Sequence, residues 1–392
     1  MKPLAGVRIL TIEQFGAGPY GSLFLADLGA EVIKIENAAT GGDASRSGGP
    51  FFVGENDSLY FQGWNTNKKS ITLDLKSEYG QSVLHELVAS SDAVMNNLRG
   101  DQPGKLGLTY DVLKAYNPAV VCGHISAYGR DNDRAGRPGY DFLMQAEAGL
   151  MSITGDPDGD PARFGPSIID FMTGMTLAVG LLSAIIGART TGKGCDVDAS
   201  LFDVALHQLN YSATWFLNEN YEVSRQPRSS HFSITPSQTY KTADGWIFIM
   251  CMTDKFWELL VEGLGCTELL ADPRFATMED RNRNRAVLTG ILDGEFGKDT
   301  MENWVSRLGA IVPIGPVYDV RQALTNPFVE QSGMIQHVPH PVRPDLRLLA
   351  NPLKINGNRL PQEVCAALGE NNVDFGIGAE AQGIANTKQA SA

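Results

Sequence analysis

Three sets of residues in this sequence have the types and spacing to do chemistry. The first is G-A-G-P-Y-G, Gly16 to Gly21, with an acid, Glu36, twenty residues after Gly16. Glycines at such a turn admit a pyrophosphate to a helix N-terminus while the acid takes a ribose, which is dinucleotide chemistry; the alternative is a tight turn before a closely packed helix. The second is Lys68, Lys69 and Lys76, three lysines around one strand, which hold phosphates as point charges or simply solvate a strand edge. The third is Asp170, a single acid between Ile168-Ile169 and eighteen residues, Phe171 to Ala188, that carry no charge. At the start of a helix the plainest role for such an acid is the N-cap, where free N–H groups and the dipole favour an anion.

These residues need elements to place them. Val7 to Glu13 reads as a buried strand, Pro19 to Leu28 as an apolar helix, and Glu31 to Glu36 as a second strand, giving a βαβ unit. Strands at Ile71–Leu75, Asp92–Met95 and Ala119–Ser126, the last containing His124 as a core residue, extend it into a doubly wound parallel sheet. In such sheets ligands collect at the carboxyl ends of the strands. Asn37 to Asp57 is a long polar loop whose only base is Arg46. Eighteen apolar residues are the lower edge of a membrane span. Gly174, Gly180 and Gly187 and the lack of a second span favour a buried helix. A helix from Ser200 to about Leu217 follows. From about Tyr221 the texture changes to a compact α+β domain, with a hairpin around Ala243-Asp244-Gly245 and a strand at Ile311–Tyr318. The expected division is 1–220 completed by 331–375, a small domain over 221–330, and a disordered tail over 376–392.

The net charge of −13 argues against nucleic acid as a partner. Five scattered cysteines without a C-x-x-C, and an N-terminus without an apolar signal core, fit a reduced, cytoplasmic chain with no zinc site.

The order of segments resembles the family III CoA-transferases, the family of formyl-CoA and carnitine CoA-transferases, over almost the whole chain. P-L-A-G-V-R-I-L, the A-G-P turn, L-A-D-L-G-A-E-V-I-K-I-E, N-T-N-K-K-S-I-T-L-D-L-K, G-Y-D at Gly139–Asp141 and D-F-M-T-G with R-T-T-G-K-G carry it. The resemblance implies an α/β fold: a Rossmann-like large domain that binds CoA instead of a dinucleotide, a small α+β domain, and an interlocked homodimer. It places the nucleophile on Asp170. It places CoA contacts on Gly16, Ala17, Leu73 to Lys76, Asn97, Leu98, Arg99, Lys105, and Arg137 to Asp141, Tyr140 included. CoA thioester is then a substrate, with no permanently bound cofactor and no metal.

Some departures narrow the substrate. Gly16 stands where formyl-CoA transferases have glutamine, Asn37 replaces a usual basic residue, and the glycine-run loop over the formyl-CoA site is missing. His231-Phe232-Ser233-Ile234-Thr235-Pro236 is similar to the H-G-S-I-V-P segment of transferases acting on succinyl-CoA and other dicarboxylates. Arg46, Arg163 and His231 are candidates for holding a second carboxylate. Tyr140 occupies the place of the histidine in the related α-methylacyl-CoA racemases, and a tyrosine of reference pKa about 10 is a poor two-way proton shuttle. That leaves a CoA-transferase first, with a racemase or an NAD-dependent oxidoreductase as alternatives. In transfer, an acid of reference pKa about 3.9 is ionised at neutral pH and attacks a thioester without a base.

Overall fold

The computed structural model describes residues 1–378. Residues 379–392, most of the tail expected to be disordered, lie outside the described residues. Two compact units divide the chain. One comprises 1–148, 164–209 and the segment from 327 onward; the other comprises 149–163 and 210–326.

The larger unit is built on six parallel strands: β1 (Arg8–Ile12), β2 (Glu31–Glu36), β3 (Lys69–Thr72), β4 (Ala93–Asn96), β5 (Val121–Ser126) and β6 (Cys195–Ser200). Their spatial order is β3-β2-β1-β4-β5-β6. Strands covered on both faces read as continuous apolar runs, and β4 and β5 are buried at every residue. The order reverses between β1 and β4, so a crevice opens outside their carboxyl ends, the place where doubly wound sheets bind ligands.

Four helices position the crevice's side chains: α1 (Ala17–Asp27), α2 (Glu78–Val88), α3 (Asp141–Glu147) and α4 (Ile168–Thr191). By length and composition α4 alone, among the described residues, could cross a membrane. It packs on α1, β5 and β6. Its contact with α1 is through bare backbone. A Cβ added at Gly21 would collide with the Gly174 carbonyl, and one at Gly174 with the Ala17 carbonyl. Small residues at this crossing let the two helices touch and bring their N-termini together.

The helix expected from Ser200 to Leu217 is two. The first, Leu201–Gln208, ends before Asn210, whose φ of 44° breaks it, and the second, Tyr211–Glu219, belongs to the other unit. Asparagine enters the left-handed region more readily than other non-glycine residues, which makes it a natural breaking point.

The smaller unit has a three-stranded antiparallel sheet, Ser237–Lys241, Trp246–Met250 and Ile314–Pro316, with helices including Asp254–Leu264, Arg285–Phe296 and Met301–Leu308. Tyr240, Ile247, Trp257, Leu260, Phe296 and Trp304 form its own core.

Candidate active site

At the start of α4 the cap and the acid are different residues. Ser167 precedes the helix without a side-chain cap bond. The free N–H groups of Ile169 and Asp170 instead donate to Asp141 Oδ2, at 2.5 and 3.0 Å. Asp141 opens α3 and is itself held by Gln145 Nε2 at 2.6 Å from its other oxygen. The N-cap role expected of Asp170 therefore belongs to Asp141, and the Asp170 carboxylate in the first turn is left over. The same bonds correct the expectation that Asp141 contacts CoA: it is 2% exposed and fully engaged in the cap.

The Asp170 carboxylate lies over Gly16, so closely that a Cβ at Gly16 would collide with its Oδ2. Gly16 is the N-cap residue of α1, which has no side-chain cap and no acid in its first turn. The first N–H groups of a helix have no acceptor inside it. Asp170 thus stands between the positive ends of two helices, yet no cation among the described residues pairs with it. Burial first, and the charge of Asp141 second, push its pKa up to about 7. The carboxyl is consequently about half protonated at neutral pH, not the fully ionised acid expected from sequence. Aromatic rings wall the site: Phe171 stacks on Tyr20 with centroids 4.5 Å apart and meets Trp64 edge-on at 6.0 Å. The Tyr60 hydroxyl is raised in pKa by burial and then by the Asp170 charge.

A cavity of about 310 Å³ opens at Asp170 and is lined by Gly16, Ala17, Asn97, Leu98, Arg99, Arg137 and Tyr140. A smaller one of about 140 Å³ includes Leu73, Lys76, Asn37 and Leu106, and both share Gln14 and Leu98. The fold therefore gathers most of the predicted CoA contacts, from four separate loops, into two neighbouring hollows at the sheet's carboxyl edge. Tyr140 is 74% exposed beside the larger one. Lys105 borders neither cavity; it is exposed and pairs with Asp101 at 2.6 Å, as Arg99 does at 2.5 Å.

Several predicted roles fail on partners. Arg46 is 1% exposed, bound through both nitrogens to Glu36 at 2.8 Å and laid over the Phe61 ring, so it cannot hold a substrate carboxylate. The same pair consumes Glu36, the acid of the dinucleotide motif, and Gly18 and Gly21 are needed for packing on Asn97 and Gly174. Lys68 is buried on Glu13 and Lys69 pairs with Glu31, and of that trio Lys76 borders one of these two cavities. His124 is a satisfied core residue between Asn96 and Asp196. Arg163 and His231 fall in the second unit. The aromatic wall of Tyr20, Tyr60 and Trp64 was not foreseen, because nothing in their local sequence marks them.

A Rossmann-ordered sheet with an unpaired acid at its switch point suits an enzyme of group transfer. The chain matches the model of CoA-transferase family III over residues 4–372 and belongs to that family. It is 34% identical to the succinyl-CoA:glutarate CoA-transferase of Mus musculus over 87% of this chain and 78% of that one. It is 33% identical to the succinate–glutarate CoA-transferase of Agrobacterium fabrum over 85% and 84%. A crystal structure of a CAIB/BAIF family protein from Brucella suis superposes with a TM-score of 0.83 at 33% identity, covering 95% of this chain and 98% of that one. Neither the racemase nor the NAD-dependent alternative is favoured by these relatives.

Proposed function

We propose that the protein moves CoA from a dicarboxylic acyl-CoA, such as succinyl-CoA, to a dicarboxylic acid through covalent intermediates on Asp170. The observation that carries this is the Asp170 carboxylate itself, released from capping by Asp141, unpaired, and facing the larger cavity. In the first step Asp170 attacks the thioester carbonyl and expels CoA thiolate, leaving a mixed anhydride. The thiolate then attacks the Asp170 carbonyl, frees the donor acid and becomes an aspartyl-CoA thioester. The acceptor carboxylate attacks that thioester and expels CoA thiolate, giving a second mixed anhydride; the thiolate then attacks the acceptor's acyl carbon and releases the Asp170 carboxylate. The uncapped start of α1 offers N–H groups for the tetrahedral oxyanion, and the aromatic wall excludes water from the anhydride. Arg99, Arg137 and Lys76 supply local positive charge for CoA phosphates on an otherwise acidic chain. The relatives' names support the dicarboxylate.

The protein works as a homodimer in this reading, supported by the apolar Val179 and Ile186 left exposed on α4. Light scattering after size exclusion then gives about twice the 42.4 kDa chain mass. The deciding experiment incubates the enzyme with succinyl-CoA and then hydroxylamine. A hydroxamate on the Asp170 peptide, seen by mass spectrometry, supports the reading; label on another residue, or exchange without label, defeats it.

A further inference from the structure

The turn that carries Gly16 to Asp170 is bracketed by two buried lysines. Lys34 Nζ donates to the Glu13 carbonyl at 2.9 Å and pairs with Asp43 Oδ2 at 2.8 Å. Lys68 Nζ donates to the Pro19 carbonyl and to Glu13 Oε1, each at 2.9 Å. Between these brackets the Asn97 amide holds both the N–H and the carbonyl of Gln14, at 2.9 and 2.7 Å. The next donor along the turn, the Phe15 N–H, goes to Asp43 Oδ1 at 3.1 Å. Phe15 has a φ of 54°, a left-handed conformation that a bulky residue adopts only under constraint. Asp43 is itself fixed by the N–H and hydroxyl of Ser45, both at 2.8 Å.

We propose that Asp43 is a positioning residue for the transfer reaction, holding Phe15 left-handed so that Gly16 and the uncapped start of α1 stay against the Asp170 carboxylate. It rests on Asp170 being the nucleophile. Asp43 borders the smaller cavity, but at 1% exposure it has no surface to offer a ligand, and it acts through Phe15. Its charge is set by Lys34, which lies 2.8 Å away and is 0% exposed. Moving the turn moves the positive end of α1 away from the ionised Asp170 and displaces the N–H groups offered to the oxyanion built on its target.

The test compares full-length Asp43→Ala and Asp43→Asn with wild type for kcat, the KM of the CoA ester, and the pH of half-maximal kcat. Asp141 and Tyr60, the titratable groups beside Asp170, are retained in both variants; the pKa of the Tyr60 hydroxyl, raised by burial, then by Asp170 and then by Asp43, falls somewhat once the Asp43 charge is gone. In Asp43→Ala, kcat falls about 100-fold, the size of losing one oxyanion donor. KM stays within about threefold, as for a group that acts after ground-state binding. The pH midpoint rises, because donors that favour the charged carboxylate have moved away. A smaller folded fraction would scale kcat and leave the midpoint still. Asp43→Asn keeps an acceptor for Phe15 and recovers about tenfold of the loss. If Asp43→Ala does not fold, Asp43→Asn decides alone: kcat about tenfold below wild type with a raised midpoint supports the role. Wild-type kcat and midpoint in the folded variant overturn it. Absence of the hydroxamate in wild type removes the proposed reaction and this role with it; normal trapping with unchanged variants removes only the role of Asp43.

Discussion

Two groups of acids flank the Glu13–Pro19 turn, and the fold treats them in opposite ways. Glu13, Glu36 and Asp43 are each given a buried cation: Lys68 at 2.9 Å, Arg46 at 2.8 Å and Lys34 at 2.8 Å. Burial works against the charges of Glu36 and Asp43, yet Arg46 and Lys34 outweigh it and hold both pKa values below the usual carboxylate range. Asp170, on the other side of the turn, pairs with no cation among the described residues, and after burial the charge that acts on it is that of another acid, Asp141. Each of the three paired carboxylates is held against a buried cation, and none of them lines the Asp170 cavity. The unpaired one faces a cavity with its charge uncompensated, which is what a carboxylate needs in order to give up electrons to a carbonyl. Reactivity here is made by withholding partners, and the scaffold's cations are spent where they stiffen the turn.

The largest effect comes from erasing the reactive member. Asp170→Asn keeps the side chain's shape, and Asp141 still caps α4, so folding survives; the amide cannot form an anhydride, and transfer falls at least about 10⁴-fold. A folded variant that still exchanges CoA near the wild-type rate places the nucleophile elsewhere. The opposite manipulation, Arg46→Ala, leaves Glu36 buried without its ion-pair partner and costs about 3–5 kcal/mol of stability, measured by urea unfolding. In whatever fraction stays folded, the pH of half-maximal kcat is unchanged, since Arg46 does not touch the cavity. A shifted midpoint would place Arg46 beside Asp43 among the groups that act on Asp170.

Much of this was legible in the sequence. Strand–helix alternation gave the parallel sheet, the glycines of α4 gave its close packing, and the resemblance carried Asp170 and most of the residues around the larger cavity. Partners were not legible, because they come from distant segments. Asp141 is 29 residues from the Asp170 N–H it caps, and no local pattern could take the cap away from Asp170. Arg46 looked like the free base of a polar loop until Glu36, ten residues away on β2, claimed it. The glycine motif misled for a similar reason: its spacing is the same whether the glycines admit a pyrophosphate or another helix. Charge and motif could be read one residue at a time, while neutralisation needs two.

A smaller effect tests the unpaired state of Asp170 through stability. Its folded pKa, about 7, lies above the unfolded value of 3.8, so the folded state binds the extra proton. Ionisation therefore penalises folding: the cost is absent below pH 4, grows from there to 7, and is complete above 7. Three pKa units correspond to ~4 kcal/mol, and solvent reaching the part-exposed carboxylate lowers this to on the order of 2 kcal/mol. Asp170→Asn removes the cost, so it is more stable than wild type at pH 8, with the difference vanishing towards pH 4. The Glu36 and Asp43 pairs run the other way, because depressed pKa values give stability that is present above the ordinary carboxylate range and lost as pH falls through the folded values. A variant no more stable than wild type at pH 8 would mean that Asp170 has a compensating partner.

The finest distinction lies in Asp141, which does two jobs at once. It caps α4 through its oxygen and raises the Asp170 pKa through its charge, the latter second to burial. Asp141→Asn separates them, since asparagine caps about as well as aspartate but carries no charge. Stability at neutral pH should change by less than about 1 kcal/mol, while the pH of half-maximal kcat moves down. At pH 6 more of Asp170 is then ionised, and the variant gains on wild type there; well above pH 7, where both are fully ionised, the advantage disappears. At high pH the order of the two kcat values reverses, because a less basic carboxylate is a weaker nucleophile. A midpoint that stays in place would show that burial alone sets the Asp170 pKa and that Asp141 is only a cap. A midpoint that rises would mean that the substitution has pulled the start of α4 away from Gly16, and the cap, not the charge, would be what the site depends on.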